Sequence, residues 1–304
     1  MSNNLITLQI HANIATIYLN RPDKRNAMSD EMRAEFIVAL ERVSADKSIR
    51  ALVLTGNGKG FCAGGDVAGM ERRMSAPPGE VGFNGWHRQQ GVHHTQSLLH
   101  NMPKPTIAAV NGAASGLGAD TALACDFIVA SEAASFTWSY IHRGLIPDGG
   151  GMYFLPRRVG LSKAKELIFS GRKVGADEAL KLGIADRLTA ADSLVADAQA
   201  WAAELSQGSA TALALGKTIL NKSLELSASE VFAQGSQAQG ICYTSSEHRD
   251  SVMAFLNKAA PKKTAGNLSD LIGTLKHDGP PLSTEELCKP VDLLAGEQTP
   301  NKQR

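Results

Sequence analysis

Two glycine-bearing segments, Gly60-Phe-Cys-Ala-Gly-Gly-Asp66 and Asn111-Gly-Ala-Ala-Ser-Gly-Leu-Gly118, each come after an apolar run, Ala51–Thr55 and Thr106–Val110. Short apolar runs of this kind read as buried strands. A strand that feeds a glycine-rich turn and a helix start can aim backbone N–H groups at a developing negative charge. Meeting the arrangement twice predicts α/β architecture and a cradle with two N–H donors. A third segment, Gly144-Leu-Ile-Pro-Asp-Gly-Gly-Gly151, sets a carboxylate, Asp148, in a similarly constrained turn. From the local sequence alone, tight turns and close packing explain the glycines equally well.

The 304 residues are 43% hydrophobic, enough for a full core in one large domain or two. Lys plus Arg total 31 and Asp plus Glu 30, so no long-range field draws in nucleic acid or an anionic membrane. A few well-placed cations would still suffice for an anionic ligand. Cys62, Cys125, Cys242 and Cys288 are widely spaced and form no metal-like cluster. His93 and His94 lack an accompanying ligand pattern, so no metal is expected. Neither a secretory signal nor a bilayer-length apolar stretch is evident. These features predict a soluble, cytoplasmic protein with reduced thiols.

Leu5–Ile10 and Ile14–Leu19 read as paired strands around a turn at 11–13. Ser29 is placed to cap a helix carrying Met32, Phe36, Ala39, Leu40 and Val43 at helical spacing. Phe127–Ala130 reads as a further strand, and the alternation favours a mostly parallel sheet with covering helices. Neither glycine segment contains Gly-x-Gly-x-x-Gly or a phosphate-loop Gly-Lys-Ser/Thr, which weakens a nucleotide-fold reading. Residues 71–103 read as irregular before a helix near Val92–His100. Helical patterns dominate from Ser162, at Lys163–Phe169, Ala176–Leu182 and Asp192–Leu205. Glu225 to Lys258 reads as helix interrupted around Gly235 and Gly240, and Asn267–Arg304 as a polar tail with one short helix at Thr284–Cys288.

In order and spacing, these segments resemble the crotonase superfamily, the enoyl-CoA hydratase/isomerase family. The likeness begins at Asn20-Arg-Pro-Asp-Lys-Arg-Asn-Ala27 and runs through Leu52-Val-Leu-Thr-Gly56, Gly60–Asp66 and Lys104–Gly112. It continues through Gly118-Ala-Asp-Thr-Ala-Leu-Ala-Cys-Asp126 and Leu145–Pro156, and covers roughly residues 5–265. The resemblance implies a crotonase-like spiral of ββα units with a helical C-terminal region. On that basis residues 1–200 form an acyl-CoA-binding core and 201–265 a helical region for oligomerisation and closure of the site, leaving 266–304 as a polar extension. It also implies a homotrimer or dimer of trimers, and coenzyme A as part of the substrate rather than a prosthetic group.

By the same resemblance, the amides of Gly65 and Leu117 hold the thioester oxygen. The position of Leu117 is often glycine in the family; the backbone donor survives the exchange, and the side chain narrows the acyl tunnel. Hydratases of the family use two glutamates, which correspond here to Asp120 and Tyr140. A phenol with a pKa near 10 is a poor general base at neutral pH. Asp148 stands where several family isomerases carry an acid, which makes it the first-choice base, with Asp120 as a second carboxylate or its positioner. Three plainer readings stay open: Asp148 caps a helix near Gly150, Asp120 is only a hydrogen-bonded helix residue, and Tyr140 only shapes the pocket.

Lys24, Arg25 and Ala27 correspond to residues flanking the pantetheine and nucleotide, and Ala63, Gly65, Asp66, Val67 and Leu117 to the remainder of that grip. Val67 falls on the adenine side, while Phe255 and Lys258 correspond to elements that close over CoA. Asp66 reads as fixing its turn, Cys62 as a buried thiol and His142 as a surface residue. Trp86 and Trp138 are candidates for the tunnel wall, and Trp201 for helix packing. The leading reading is an enoyl-CoA isomerase working through a thioester enolate. The alternatives are a hydratase with modified acid/base geometry and a non-catalytic acyl-CoA-binding scaffold.

Overall fold

The computed structural model describes residues 4–66, 69, 71 and 74–259. Val67 and the extension 266–304, with the short helix expected in it, lie outside the described residues. By packing, the chain divides into two compact units, Met1–Ser251 and Val252–Arg304.

Within the first unit, β1 (Ile6–His11) pairs antiparallel with β2 (Ile14–Leu19). The sheet then continues in parallel through β3 (Ala51–Gly56), β5 (Thr106–Val110), β7 (Phe127–Ser131) and β10 (Arg187–Thr189). A second sheet runs β4 (Gly60–Cys62), β6 (Ala113–Ser115), β8 (Ser135–Thr137) and β9 (Lys173–Gly175). Thus β3, β5 and β7 each pass almost directly into a strand of the smaller sheet, the repeating step of a ββα spiral.

The central strands β3, β5 and β7 are largely apolar and buried because both faces of the larger sheet are covered there. Leu52, Leu54, Ala108, Val110, Ile128 and Ala130 point into the main core. Their alternating neighbours Ala51, Val53, Ile107, Ala109 and Val129 pack on Leu194, Ala198, Trp201 and Ala202 of α7 (Leu194–Leu205). The guanidinium of Arg187 covers the other side of the Trp201 ring at 3.7 Å, in keeping with the packing role expected for this residue.

Helix α1 (Asp30–Ala45) starts at Ser29, whose side chain accepts the Met32 N–H. A cap of this type stabilises by about 1 kcal/mol. Met32, Phe36, Leu40 and Val43 are buried. The expected helix near Val92–His100 is present, but the irregular chain expected ahead of it is corrected: α2 runs from Pro78 to His100. Pro78 occupies the first turn, where a missing N–H is harmless. Gly91 faces Arg33 of α1, where a Cβ would make an ordinary contact at 3.5 Å with Arg33 Cδ.

Helices α3 (Leu117–Leu123), α4 (Gly151–Val159), α5 (Leu161–Ser170) and α6 (Ala176–Leu182) complete the layers around the smaller sheet. Beyond α7 come α8 (Ala210–Leu220), α9 (Ala228–Thr244) and α10 (Ser246–Ala259). Here too an expectation is corrected, because Gly235 and Gly240 sit inside α9 without interrupting it. The break falls at Ser245, in extended backbone. Among the described residues, no helix is long and apolar enough to cross a membrane.

Candidate active site

Strands β4, β6 and β8 are parallel neighbours, and they end side by side at Cys62, Ser115 and Thr137. The chain segments just beyond those ends carry Gly65, Leu117 and Tyr140. All three line one cavity of about 630 Å³, and Asp148 lines it too. Ligand sites at the carboxyl ends of strands are the common arrangement in α/β proteins.

Among the described residues, two backbone N–H groups at this edge are left over from the secondary structure. Gly65 forms a parallel bridge with Met28, made by Met28 N to Gly64 O at 2.8 Å and Asp66 N to Met28 O at 3.2 Å. In that pattern the N–H of Gly65 itself points away from the bridge. Leu117 is the first residue of α3, so its N–H has no intrahelical acceptor, and its N-cap, Gly116, supplies no side chain. The two segments touch closely. A Cβ on Gly118 would lie 2.1 Å from Cys62 O, and one on Gly64 would lie 3.5 Å from Leu117 N.

Asp120 projects from α3 and is 0% exposed. Trp138 Nε1 donates to its Oδ1 at 3.0 Å, and the Tyr140 hydroxyl donates to Oδ2 at 2.7 Å. Burial pushes its carboxyl up to about 7, the negative charge of Asp148 adds to the shift, and the Tyr140 and Trp138 bonds hold it back. The Tyr140 hydroxyl is driven well above its ordinary range, first by burial and then by the Asp120 charge. Trp138 is therefore a buried partner of Asp120 rather than tunnel wall, and Trp86 is 60% exposed on α2, away from the cavity lining.

The turn carrying Asp148 follows Gly144, whose φ is 64°. Helix α4 begins after Gly150; the backbone amides that meet the Asp148 carboxylate are its own and that of Gly149, ahead of the helix, while the Gly151 amide at the helix start meets Asp120. Gly149 and Gly151 let this turn lie against Asp120: a Cβ at Gly149 would stand 2.8 Å from Oδ2, and one at Gly151 2.5 Å from Oδ1. Asp148 is half-buried, and burial raises its carboxyl above the usual range. Its own and the Gly149 backbone amides, with the charges of His93 and Arg88, pull in the opposite direction. His93 Nε2 also meets the Asp148 carbonyl oxygen at 3.1 Å.

The segment expected to grip CoA lies beside Gly65. Ala63 N donates to Arg25 O at 2.9 Å, and Arg21 joins Ala27 O to the Asp66 carboxylate, the latter at 3.0 Å. Lys24, Arg25 and Ala63 are exposed there, and Ala27 and Asp66 are half-buried. Sequence reading missed the residue that knots this corner, Asn26. It is 0% exposed, accepts the Arg21 N–H through Oδ1, and donates to Gly60 O at 2.8 Å and Asn57 O at 3.0 Å. Its backbone φ of 57° is a setting that asparagine tolerates better than most residues. Cys62 is fully buried, and burial pushes its thiol up to about 11, which suits packing and not nucleophilic attack. Phe255 and Lys258 lie on α10 in the second unit, where Phe255 is 72% exposed.

Comparison with known proteins gives the family and the fold. The description of the Enoyl-CoA hydratase/isomerase family matches residues 9–265. The chain is 33% identical over 259 residues to 1,2-epoxyphenylacetyl-CoA isomerase of Escherichia coli K12, covering 85% of this chain and 98% of that protein. It is 31% identical over 259 residues to crotonyl-CoA hydratase of Syntrophomonas wolfei, covering 85% and 97%. The crystal structure of an enoyl-CoA hydratase/isomerase from Cupriavidus metallidurans CH34 superposes with a TM-score of 0.78 at 34% identity, covering 85% of this chain and 95% of that one. The fold is the crotonase ββα spiral, and the chain belongs to the enoyl-CoA hydratase/isomerase family of enzymes acting on acyl-CoA thioesters.

Proposed function

We propose that this enzyme is an enoyl-CoA isomerase that moves a double bond by proton transfer through Asp148. The observation that carries this reading is the unequal fate of the site's two carboxylates. Asp148 lines the cavity, while Asp120 is sealed under Trp138 and Tyr140 with both oxygens occupied. Syn hydration calls for two groups that face the attacking water. Isomerisation of a 3-enoyl thioester needs one base that can reach two carbons.

In this reading the thioester carbonyl oxygen accepts the N–H groups of Gly65 and Leu117. The Asp148 carboxylate removes a proton from C2, and the electron pair delocalises onto the carbonyl oxygen as an enolate. As the enolate collapses, the C3=C4 π pair takes the proton from Asp148 at C4, and the double bond re-forms between C2 and C3. One donor in a comparable hole is worth roughly 3–4 kcal/mol of barrier. Lys24, Arg25, Ala27, Ala63 and Asp66 hold the CoA portion, with Val67 as a further contact. Exposed apolar side chains on α8 and α9 and in the turn joining them, Leu220 at 71%, Leu224 at 75% and Phe232 at 72%, support a homotrimer or dimer of trimers.

The test incubates the enzyme with trans-3-hexenoyl-CoA in ¹⁸O-labelled water. Conversion to the 2-enoyl isomer without oxygen incorporation, lost in Asp148→Asn, is the expected result. Labelled 3-hydroxyacyl-CoA as the principal product would replace isomerase by hydratase. CoA binding without turnover across acyl chain lengths would point to the scaffold.

A further inference from the structure

Helix α2 turns an uneven stripe toward the cavity. Val81, Gly85, Arg88, Gln89 and Val92 all line it. Their spacing of three and four residues puts them on one helix face. The ends of the stripe are apolar, but its middle carries two strongly hydrogen-bonding side chains that are incompletely used.

The Arg88 side chain is only 14% exposed. Its Nε donates to Asp30 Oδ1 at 3.2 Å, which leaves the two Nη groups without a partner among the described residues. Asp30 Oδ1 is already held by Arg33 at 2.6 Å, so this one oxygen is shared by two guanidinium groups, while Glu31 and Asp148 act on Arg33 and Arg88 through their charges without a hydrogen bond to the Arg88 Nη groups. Next to Arg88, Gln89 Oε1 is buried and has no hydrogen-bond partner. An orphaned polar atom at a cavity wall is costly unless something arriving in the cavity meets it. The space in front is open, because a Cβ on Gly85 would meet nothing within 4 Å. Arg143 lines the cavity as well and adds a second cation, while Glu71, the remaining acid of the lining besides Asp148, is exposed and screened by water.

A plain hydrocarbon chain would use none of these groups and would bury Gln89 unsatisfied. Resting on the reading of this cavity as the acyl-CoA site, we propose that the acyl group this enzyme takes ends in a carboxylate, bound by the free Nη groups of Arg88 and the carboxamide of Gln89. The guanidinium fork matches a carboxylate in a bidentate manner. A half-turn of the Gln89 amide, whose oxygen and nitrogen are interchangeable in shape, presents Nε2–H to the same anion. The substrate class is thus a CoA half-thioester of an unsaturated dicarboxylic acid.

Calorimetric binding tests this without turnover, using saturated pairs of equal length: succinyl- against butanoyl-CoA, adipoyl- against hexanoyl-CoA, and suberoyl- against octanoyl-CoA. At one length or more the dicarboxylic thioester binds the wild type about tenfold to a hundredfold tighter, as expected for hydrogen bonds to a charged group. Arg88→Gln brings that ratio close to one, Arg88→Lys keeps part of it, and Gln89→Leu lowers it several-fold. Circular dichroism of each variant verifies folding. Tighter binding of the monocarboxylic partner at every length, or a preference untouched by Arg88→Gln, overturns the proposal while the acyl-CoA reading stands. Failure of every thioester and of free CoA to bind overturns both.

Discussion

Asp120 and Asp148 belong to segments that touch, and burial raises both carboxyls above the usual carboxylate range, yet their surroundings differ completely. Asp120 is 0% exposed with a donor on each oxygen, one from an indole and one from a phenol. Asp148 sits on a turn, half-buried, with its side chain against the cavity and cations nearby. A raised proton affinity alone therefore does not mark the group that moves protons. Contact with the reacting atoms decides, and between these two residues only Asp148 lines the space where a substrate can lie. The buried partner shapes the site from beneath, holding Tyr140 and Trp138 in place.

The sharpest way to break this comparison is to neutralise each carboxylate in turn. Asp148→Asn should lower the isomerisation rate about 10²–10⁴-fold, the usual worth of a positioned general base. Asp120→Asn should cost far less in rate, because an amide can still accept from Trp138 and meet the Tyr140 hydroxyl. Steady-state rates on one 3-enoyl-CoA measure both, and equal losses would erase the distinction.

Asp120→Asn should instead register in stability against pH. The Asp120 carboxyl rises from an ordinary 3.8 to about 7 on folding, so the folded chain keeps a proton that the unfolded chain has released. Its contribution is fully present below the unfolded value and is lost as pH rises through about 7. A rise of this size corresponds to at most about 4 kcal/mol. Denaturant unfolding of wild type and Asp120→Asn at several pH values between 4.5 and 8 should show the wild type losing ground steadily as pH rises. Parallel curves would mean that Asp120 ionises in the folded protein as readily as in water.

Much of this was legible in the chain. The apolar runs at 51–55 and 106–110 foretold parallel strands, because a strand covered on both faces shows no polar alternation. The glycine-rich turns after those runs pointed to close backbone approach, while the choice of Gly65 and Leu117 within them came from the family resemblance alone. What stayed hidden depends on tertiary packing. Periodicity could not reveal that α2 begins at Pro78, because the glycines at 79, 82 and 85 depress the helical signal while packing against α1 sustains the helix. Nor could it tell that Trp138 closes over Asp120 rather than lining a tunnel, for an indole suits either place until its N–H finds a partner. The roles of Asn26 and Gln89 come from single buried amides, and a lone amide in a sequence looks like any other polar residue.

A finer probe of the buried half is Tyr140→Phe. It removes the O–H donated to Asp120 Oδ2 and leaves that oxygen unpartnered. The loss should destabilise the fold by about 1–3 kcal/mol. Since the Tyr140 bond holds the Asp120 carboxyl down, its removal should move the pH window of that carboxyl upward. The rate should change less than about tenfold, small beside the loss of a general base. A rate loss as large as that of Asp148→Asn would make the phenol a participant in proton transfer and merge the two regions into one relay.

The smallest effect is expected on the open side, at His93. This exposed ring meets the Asp148 carbonyl oxygen at 3.1 Å, and its charge lowers the proton affinity of the Asp148 carboxylate. His93→Gln keeps a side chain able to donate to that carbonyl and deletes only the charge. Asp148 must be ionised to take a proton, so raising its pKa moves the acid limb of the rate profile to higher pH. Exposed charge pairs are worth about 0.2–1 kcal/mol, so the rate on that limb should fall about twofold, with little change on the plateau. His93 is not among the leading influences on buried Asp120, which feels Asp148 only after burial and its own hydrogen bonds, so the stability profile assigned to Asp120 should move far less than the rate profile. Movement of both profiles together would mean that the two carboxylates titrate as one coupled pair.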